Sequence, residues 1–421
     1  MNGLISKISF IKISFLSFGN ILYLFFSLAI VKALTNIYST EEFGEYSIII
    51  ALSAITFIFI QTITSILGPF FKEGKFSEKI IVSQSLNILI FISIFFLIII
   101  TCISLTDYFF EVKYSDEIIF SILLGLGISV NMVLNTLIII KGMIYRFIIF
   151  NNLPIVLKFI IAISLLILGV KISIISLIKL FVIANIITSL LSLVHYRAIN
   201  KKDLLFFNFD KTFYIEYFNY TKYYIVLNLI GWSNNFFDKY FLGRIENTKL
   251  VGIYSLNYQY SFSILNQISQ VIGQFFNSFY WKKNIIDENK KISSVLKVLF
   301  FLNFLIIGLI IFIPDELLDY FIILVSNLNY TGYYNVYKLI AISGVFFMTS
   351  QILSNPLFKK EKIKSLVINH GTTFIIFIIT SFFLTLKLSI LGLSIALLLS
   401  NFFLAISNVV SILKDLNENN H

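Results

Sequence analysis

The stretch Ile88-Leu89-Ile90-Phe91-Ile92-Ser93-Ile94-Phe95-Phe96-Leu97-Ile98-Ile99-Ile100-Thr101-Cys102 decides the class of this protein. It carries no charge, and with its less apolar flanks it reaches from 80 to 105. That exceeds the roughly 20 residues needed to cross about 30 Å of hydrocarbon as a helix. Comparable runs follow at Leu153–Val170, Ile172–Val194, Val298–Ile313 and Thr373–Leu386. Of 421 residues, 58% are hydrophobic and 13% charged, whereas a soluble chain carries roughly a quarter charged residues. A large soluble core would not need such unbroken runs. The chain therefore reads as an all-α integral membrane protein.

Working outward, spans are expected near 13–35, 45–69, 80–105, 118–140, 148–169, 174–194, 219–243, 251–279, 294–314, 336–358, 365–386 and 390–413, about twelve in all. The seventh, eighth and tenth are the least apolar. The first apolar stretch runs from Ile13 to Leu34 without the small-residue end of a cleavable signal, so it is read as helix one. The single Cys102 lies inside a span, and His195, His370 and His421 are scattered, so neither a disulfide framework nor a metal site is expected.

Cytoplasmic loops accumulate Lys and Arg. On this assignment 22 of the 32 basic residues fall on one side, among them Lys7, Lys12, Lys141, Arg146, Lys201, Lys202, Lys282, Lys283, Lys360, Lys362 and Lys414. Nine fall on or near the other side: Lys32, Lys113, Lys171, Lys179, Lys239, Arg244, Lys249, Lys338 and Lys387. Lys158 lies within span five. Both termini are then cytoplasmic. The formal charge of +10 is spread over alternate loops as topology demands, so no nucleic-acid partner is expected. The longest interruption, His195 to Thr221, divides the chain into an N-terminal six-helix bundle at 1–197, a cytoplasmic linker at 198–220 and a C-terminal six-helix bundle at 221–421. Nothing outside the spans is large enough for a soluble catalytic domain. Pro314 to Tyr337 reads as a short helix at the interface.

Two patterns occur once in each half. Phe43-Gly44-Glu45-Tyr46-Ser47 is echoed by Val251-Gly252-Ile253-Tyr254-Ser255, with the glycines 208 apart. Lys171-Ile172-Ser173-Ile174-Ile175-Ser176-Leu177 is echoed by Lys387-Leu388-Ser389-Ile390-Leu391-Gly392-Leu393 at an offset of 216, which Asn185 and Asn401 keep. Six spans per repeat is an even number, so the halves share one orientation. Transporters built from such repeats hold substrate between them.

The same residues carry a family resemblance. Leu34 to Tyr46 resembles the loop joining the first two helices of bacterial lipid-linked oligosaccharide flippases of the Wzx type. Asp238-Lys239-Tyr240-Phe241-Leu242-Gly243, followed by Val251 to Ser255, is similar to their seventh-to-eighth helix connection, and Ile390 to Ala396 to their last helix. The resemblance implies the multidrug/oligosaccharidyl-lipid/polysaccharide exporter fold, two six-helix bundles around a central cavity. It further implies alternating access that moves an undecaprenyl-diphosphate-linked oligosaccharide from the inner to the outer leaflet, for O-antigen or capsule synthesis. The related lipid II flippases generally have two further helices, for which this chain has no room.

Polar residues in the spans supply the candidate site. Of 22 Asp and Glu, Asp238 alone sits well within a proposed helix. It is either the site of a coupling cation, H+ or Na+, or half of a salt bridge with Lys239, Arg244 or Lys32. Asn228, Gly231, Asn235 and Asp238 share one face of span seven. Tyr260, Ser263, Gln267, Gln270, Gln274 and Asn277 form a row along span eight. Such a row facing lipid would strand its polar groups, so it faces protein or water, and a wet cavity wall is favoured over interhelical hydrogen bonding. Lys32, Lys158, Lys179 and Lys239 are candidates for holding a diphosphate, with snorkelling to the interface as the alternative. Smaller sets, Gly127, Asn131 and Asn135 or Asn369 and Thr373, read as packing. His370 reads as a hydrogen-bonded histidine, with proton carriage as the alternative.

The leading expectation is therefore a non-enzymatic flippase of the bacterial cytoplasmic membrane. It would have no cofactor beyond a coupling cation, and its partners would be lipid-linked glycan, membrane lipid and other polysaccharide assembly proteins. A cation-coupled small-molecule or drug exporter of the same superfamily is the alternative. A membrane glycan polymerase or ligase is a third reading. On the topology above, reporter fusions at Lys202 and at the C-terminus should report cytoplasm and one at Asn327 the outer side; an outward C-terminus would overturn the arrangement.

Overall fold

A computed structural model describes residues 2–110, 115–199, 209–280, 288–359 and 363–418. Lys113, Lys201, Lys202, Lys282, Lys283, Lys360, Lys362 and His421, used above to argue topology or metal binding, lie outside them. The described chain is helical throughout, without strands: α1 (Asn2–Ile37), α2 (Thr40–Glu73), α3 (Glu78–Phe110), α4 (Ser115–Ile140), α5 (Ile144–Leu168), α6 (Ile174–Ile199), α7 (Lys211–Ile245), α8 (Thr248–Tyr260), α9 (Phe262–Tyr280), α10 (Glu288–Phe312), α11 (Asp315–Val325), α12 (Tyr334–Lys359) and α13 (Ile363–Glu418).

Nine of these helices are long and apolar enough to cross a membrane: α1 to α6, α10, α12 and α13. The last is a hairpin. At Ser389 (φ 51, ψ −133) the helix breaks, and beyond it the chain runs back along itself. Asn369 Nδ2 donates to Asn408 Oδ1 at 2.9 Å, and Ser400 Oγ donates to the Thr373 carbonyl at 3.3 Å. Gly392 makes the reversal possible, because a Cβ there would lie 2.1 Å from the Leu384 carbonyl oxygen. Two further long segments, α7 and the pair α8–α9, are less apolar and complete the twelve passes read from the sequence. The tenth expected span, α12, passes on apolarity, whereas the seventh and eighth do not.

By internal contacts the chain forms two compact units, one of 1–44 with 238–421 and one of 45–237. This differs from the division at the long interruption. In the first unit α1 lies against α8, where Gln259 Nε2 donates to Ser27 Oγ at 3.2 Å. In the second, α7 lies against α2, where Trp232 Nε1 donates to the Ala51 carbonyl at 3.0 Å and Phe213 meets Phe70 at 5.4 Å. A gap in hydropathy marks where the chain leaves the membrane, but side-chain faces decide which helix packs on which. Of the expected linker 198–220, residues 200–208 lie outside the described residues and helix resumes at Lys211.

The internal repeat has a physical counterpart. Ser39 opens α2 with a capping box: its Oγ accepts from the Glu42 N–H at 3.3 Å, and Glu42 Oε2 accepts from the Ser39 N–H at 2.9 Å. Asn247, 208 residues on, caps α8 by accepting from the Leu250 N–H at 2.9 Å. The two helix starts then cross reciprocally. A Cβ on Gly44 would stand 1.8 Å from the Thr248 carbonyl oxygen, and one on Gly252 would stand 1.9 Å from that of Thr40. At the offset of 216, Asn185 packs on Gly127, 2.9 Å from where a Cβ would be, while Asn401 Nδ2 donates to Ser343 Oγ at 2.8 Å. Gly127 and Ser343 are themselves 216 apart. Beside the α1–α2 turn, burial and the neighbouring Glu42 carboxylate push the Tyr38 hydroxyl up to about 12.

Gly44→Ala and Gly252→Ala should each lower the thermal midpoint of the purified protein, by overpacking of about 1–3 kcal/mol or more. Gly231→Ala, with nothing within 4 Å of its Cβ position, should leave the midpoint unchanged or raise it. Equal behaviour of all three variants would overturn the close crossing.

Candidate functional site

The polar row expected along one helix is divided by a bend. At Ser261 (φ −120, ψ −76) α8 ends, and the Ser261 hydroxyl turns back onto the Asn257 carbonyl. Tyr260, the last residue of α8, is buried, with its hydroxyl 2.9 Å from the Leu28 carbonyl oxygen and 3.0 Å from that of Val325. One hydroxyl proton serves one of these at a time, and either way Tyr260 is engaged with backbone. Period alone could not reveal this, because a helical stripe continues in phase on paper across a break in the helix.

Beyond the bend, α9 has three distinct sides. Phe262 and Leu265 pack against α12, Phe262 meeting Phe347 at 4.9 Å and Leu265 closing on Gly344. Ile268 is exposed on an apolar side. On the polar side, Ser263 Oγ donates to Gln259 Oε1 at 3.3 Å, Gln267 is half-buried and Gln270 is exposed. The side chains of Gln274 and Asn277 lie outside the described residues. Lipid offers an accessible amide no hydrogen-bond partner. Sequence reading missed the matching face of α1. Ser17, Asn20 and Ser27 recur at i, i+3 and i+10, and Ser27 touches Gln259. Ser17 Oγ and Asn20 Nδ2 are buried without a hydrogen-bond partner among the described residues. The spacing was the available signal.

Asp238 is wholly buried. Its Oδ2 accepts from the Tyr254 hydroxyl at 2.7 Å and its Oδ1 from the Lys239 N–H at 2.8 Å, with Lys239 Nζ at 3.7 Å. The same ammonium lies 4.0 Å from the centre of the Tyr258 ring, and the aromatic stack continues to Phe262 at 4.6 Å. Of the basic partners considered for Asp238, Lys239 is the one it meets. Arg244 Nε donates to the Tyr240 hydroxyl at 3.2 Å, and Lys32 Nζ to the Leu324 carbonyl at 2.6 Å. The cluster thus brings a buried carboxylate together with one side-chain hydroxyl donor and one ammonium. No group of three or more His, Cys, Asp or Glu that could hold a metal occurs among the described residues.

The four lysines are not brought into one cluster. Lys32 and Lys239 belong to the first unit, Lys158 and Lys179 to the second. Lys32 is exposed and Lys239 buried. They are 207 apart rather than the repeat's 208, and one residue turns a helix by about 100°. Lys179 is exposed, its ammonium 4.8 Å from the Phe120 ring centre. Lys158 sits on the inner side of α5 between buried Ile155 and Ala162, 5.8 Å from the Phe181 ring centre, with no ion pair among the described residues. Asn228 keeps a buried Nδ2 without a partner among the described residues, while the side chain of Asn235 lies outside them. Asn131 accepts from Ser192 Oγ at 3.2 Å, and Asn369 bonds Asn408, as packing requires. His370 is buried, and its Nδ1 has no hydrogen-bond partner among the described residues.

In sequence the chain matches no protein-family model and no curated protein. In structure it is similar to an inward-facing multidrug resistance transporter of the MATE family in the MOP superfamily, with a TM-score of 0.67 at 13% identity over 95% of both chains. An outward-facing MATE transporter aligns with a TM-score of 0.65 at 13% identity, over 97% of this chain and 96% of that one. A MATE transporter of Vibrio cholerae aligns with a TM-score of 0.62 at 11% identity, over 99% and 98%. The chain has the fold of these transporters.

If the polar side of α9 is wet, Gln270→Cys in a Cys102→Ser background should react with a membrane-impermeant thiol reagent faster than Ile268→Cys, because thiolate forms only where water reaches. Faster labelling of Ile268→Cys would reverse the assignment of the two sides.

Proposed function

We propose that this chain is a membrane exporter working by alternating access, with the Asp238 cluster as its cation-responsive group. The observation that carries this is the fold, shared over nearly the whole length with transporters solved both inward-facing and outward-facing. The accessible amide side of α9 supports a watered path through apolar surroundings. The solved proteins sharing the fold are described as multidrug transporters. This supports a small-molecule cargo driven by H+ or Na+ more than a lipid-linked glycan. In that reading a cation competes with Lys239 for Asp238. Within the first unit, the polar residues Gln267 and Gln270 contact cargo.

A second reading, export of an undecaprenyl-diphosphate-linked oligosaccharide for surface polysaccharide, is favoured by the order of three stretches, Leu34–Tyr46, Asp238–Gly243 and Ile390–Ala396. Under it Lys158 is the strongest candidate for the diphosphate, since it is half-buried on an inner helix side with no hydrogen bond or ion pair among the described residues. The same amides would take sugar hydroxyls, and the protein would work in the bacterial cytoplasmic membrane beside other polysaccharide assembly proteins, with both termini inside.

Transport by proteoliposomes separates the readings. Dye efflux that follows an imposed H+ or Na+ gradient, and that loses this dependence in the folded fraction of Asp238→Asn, is the expected result for a small-molecule exporter. For the second reading, a deletion strain should accumulate unexported lipid-linked glycan. Lys158→Ala should then fail to restore export and Lys158→Arg restore part of it, because the charge persists. Absence of both gradient-driven efflux and glycan accumulation would overturn the exporter proposal.

A further inference from the structure

We infer that α11 is an in-plane membrane helix whose Leu317–Tyr320–Leu324 edge, continued by Leu328, inserts into the boundary between headgroups and acyl chains of one leaflet. Eleven residues span about 16 Å, half of what a crossing needs, so α11 is no thirteenth pass. Its two long sides are both apolar but differ in partner. Leu318 and Ile322 are buried in the first unit. Leu317, Tyr320, Ile323 and Leu324 stand along a second side, with Tyr320 69% exposed, and Leu328 follows in the next turn at 71%. Asp315 and Glu316 occupy the first turn, favourable at a helix N-terminus.

Continuity identifies what covers this edge. The preceding α10 presents Phe300, Phe304, Leu309 and Phe312 outward, Phe312 at 85% exposure, on a 25-residue apolar helix whose outer side is suited only to hydrocarbon. Only Ile313 and Pro314 separate the two helices, and Pro314, in extended conformation (φ −60, ψ 142), turns the chain there. The apolar edge of α11 therefore begins where the lipid-facing surface of α10 ends. A tyrosine on such an edge suits the interface, with its ring among acyl chains and its hydroxyl toward water.

The other side of α11 is tied to the start of the protein. Lys32 Nζ donates to the Leu324 carbonyl at 2.6 Å, an orphan acceptor at the end of the helix. The Asn327 amide donates to the Thr35 carbonyl, and the Tyr330 ring meets Phe43 edge-on at 6.2 Å. Lys338 Nζ pairs with Asp315 Oδ1 at 2.7 Å and fastens the other end to α12. A lipid leaflet gripping this helix thereby holds the end of α1 and the start of α2. This inference does not depend on which cargo is carried.

Because the chain has a single cysteine, spin labelling in a Cys102→Ser background tests it in phosphatidylglycerol/phosphatidylethanolamine vesicles. Labels at Leu317→Cys, Tyr320→Cys and Leu328→Cys should collide more with oxygen than with a water-soluble nickel chelate, and a label at Glu316→Cys should show the reverse. Tyr320 and Leu328 are exposed, so their replacement removes no buried contact and the folded protein should be retained. Nickel access at all four positions would place the edge in water. Exclusion of both reagents from 317, 320 and 328 would mean that a second copy or another protein covers it. Either outcome overturns the inference.

Discussion

In hydrocarbon a polar group finds no water, so whatever it bonds must come from the protein itself. This constraint accounts for the all-helical chain and for the behaviour of its hydroxyls. Ser93, Thr101 and Thr380 turn back onto the carbonyls four residues earlier, at 2.8, 2.9 and 2.7 Å. Where a side chain cannot close on its own helix, it builds a link to the next. Asn408 joins α12 and the α13 hairpin by donating to Ser350 Oγ at 2.9 Å while accepting from Asn369. Not every buried group finds such a partner: among the described residues Ser17 Oγ and Asn20 Nδ2 have none.

Close backbone approach is the second organising feature. Gly44 and Gly252 meet each other's helix starts at distances that admit no side chain, and Gly125 approaches the Ser53 carbonyl just as closely, at 2.3 Å from its Cβ position. Between apolar helices in lipid there is little hydrophobic drive, so small residues that maximise contact take its place. The repeat detected in sequence is thus a repeat of contacts: cap, glycine and asparagine recur with the partners that give each its role.

The buried charges behave according to whether a partner is present. Asp238 and Lys239 neutralise one another beside Tyr254 and Tyr258, and removing either member of such a pair leaves an uncompensated charge worth about 3–5 kcal/mol. Half-buried Lys158 meets the face of Phe181, with no ion pair among the described residues, and a ring face is a weak substitute for an anion. Lys32, attractive by position, serves the end of α11 instead. A lysine near a span end can cap a helix, snorkel or bind cargo, and only its neighbours distinguish these.

The sequence by itself determined the membrane class, the succession of apolar helices and the paired motifs, because hydrocarbon thickness and helical period act locally and leave their mark on runs of residues. It also singled out Asp238 and the amides of the eighth pass. Only tertiary structure decided that α1 packs with the later helices and α7 with the earlier ones, that α8 bends at Ser261, and that Tyr260 is spent on backbone carbonyls. Those outcomes depend on which faces of distant segments meet, and contact between residues 232 positions apart, as at Tyr260 and Leu28, leaves no periodic trace in the chain.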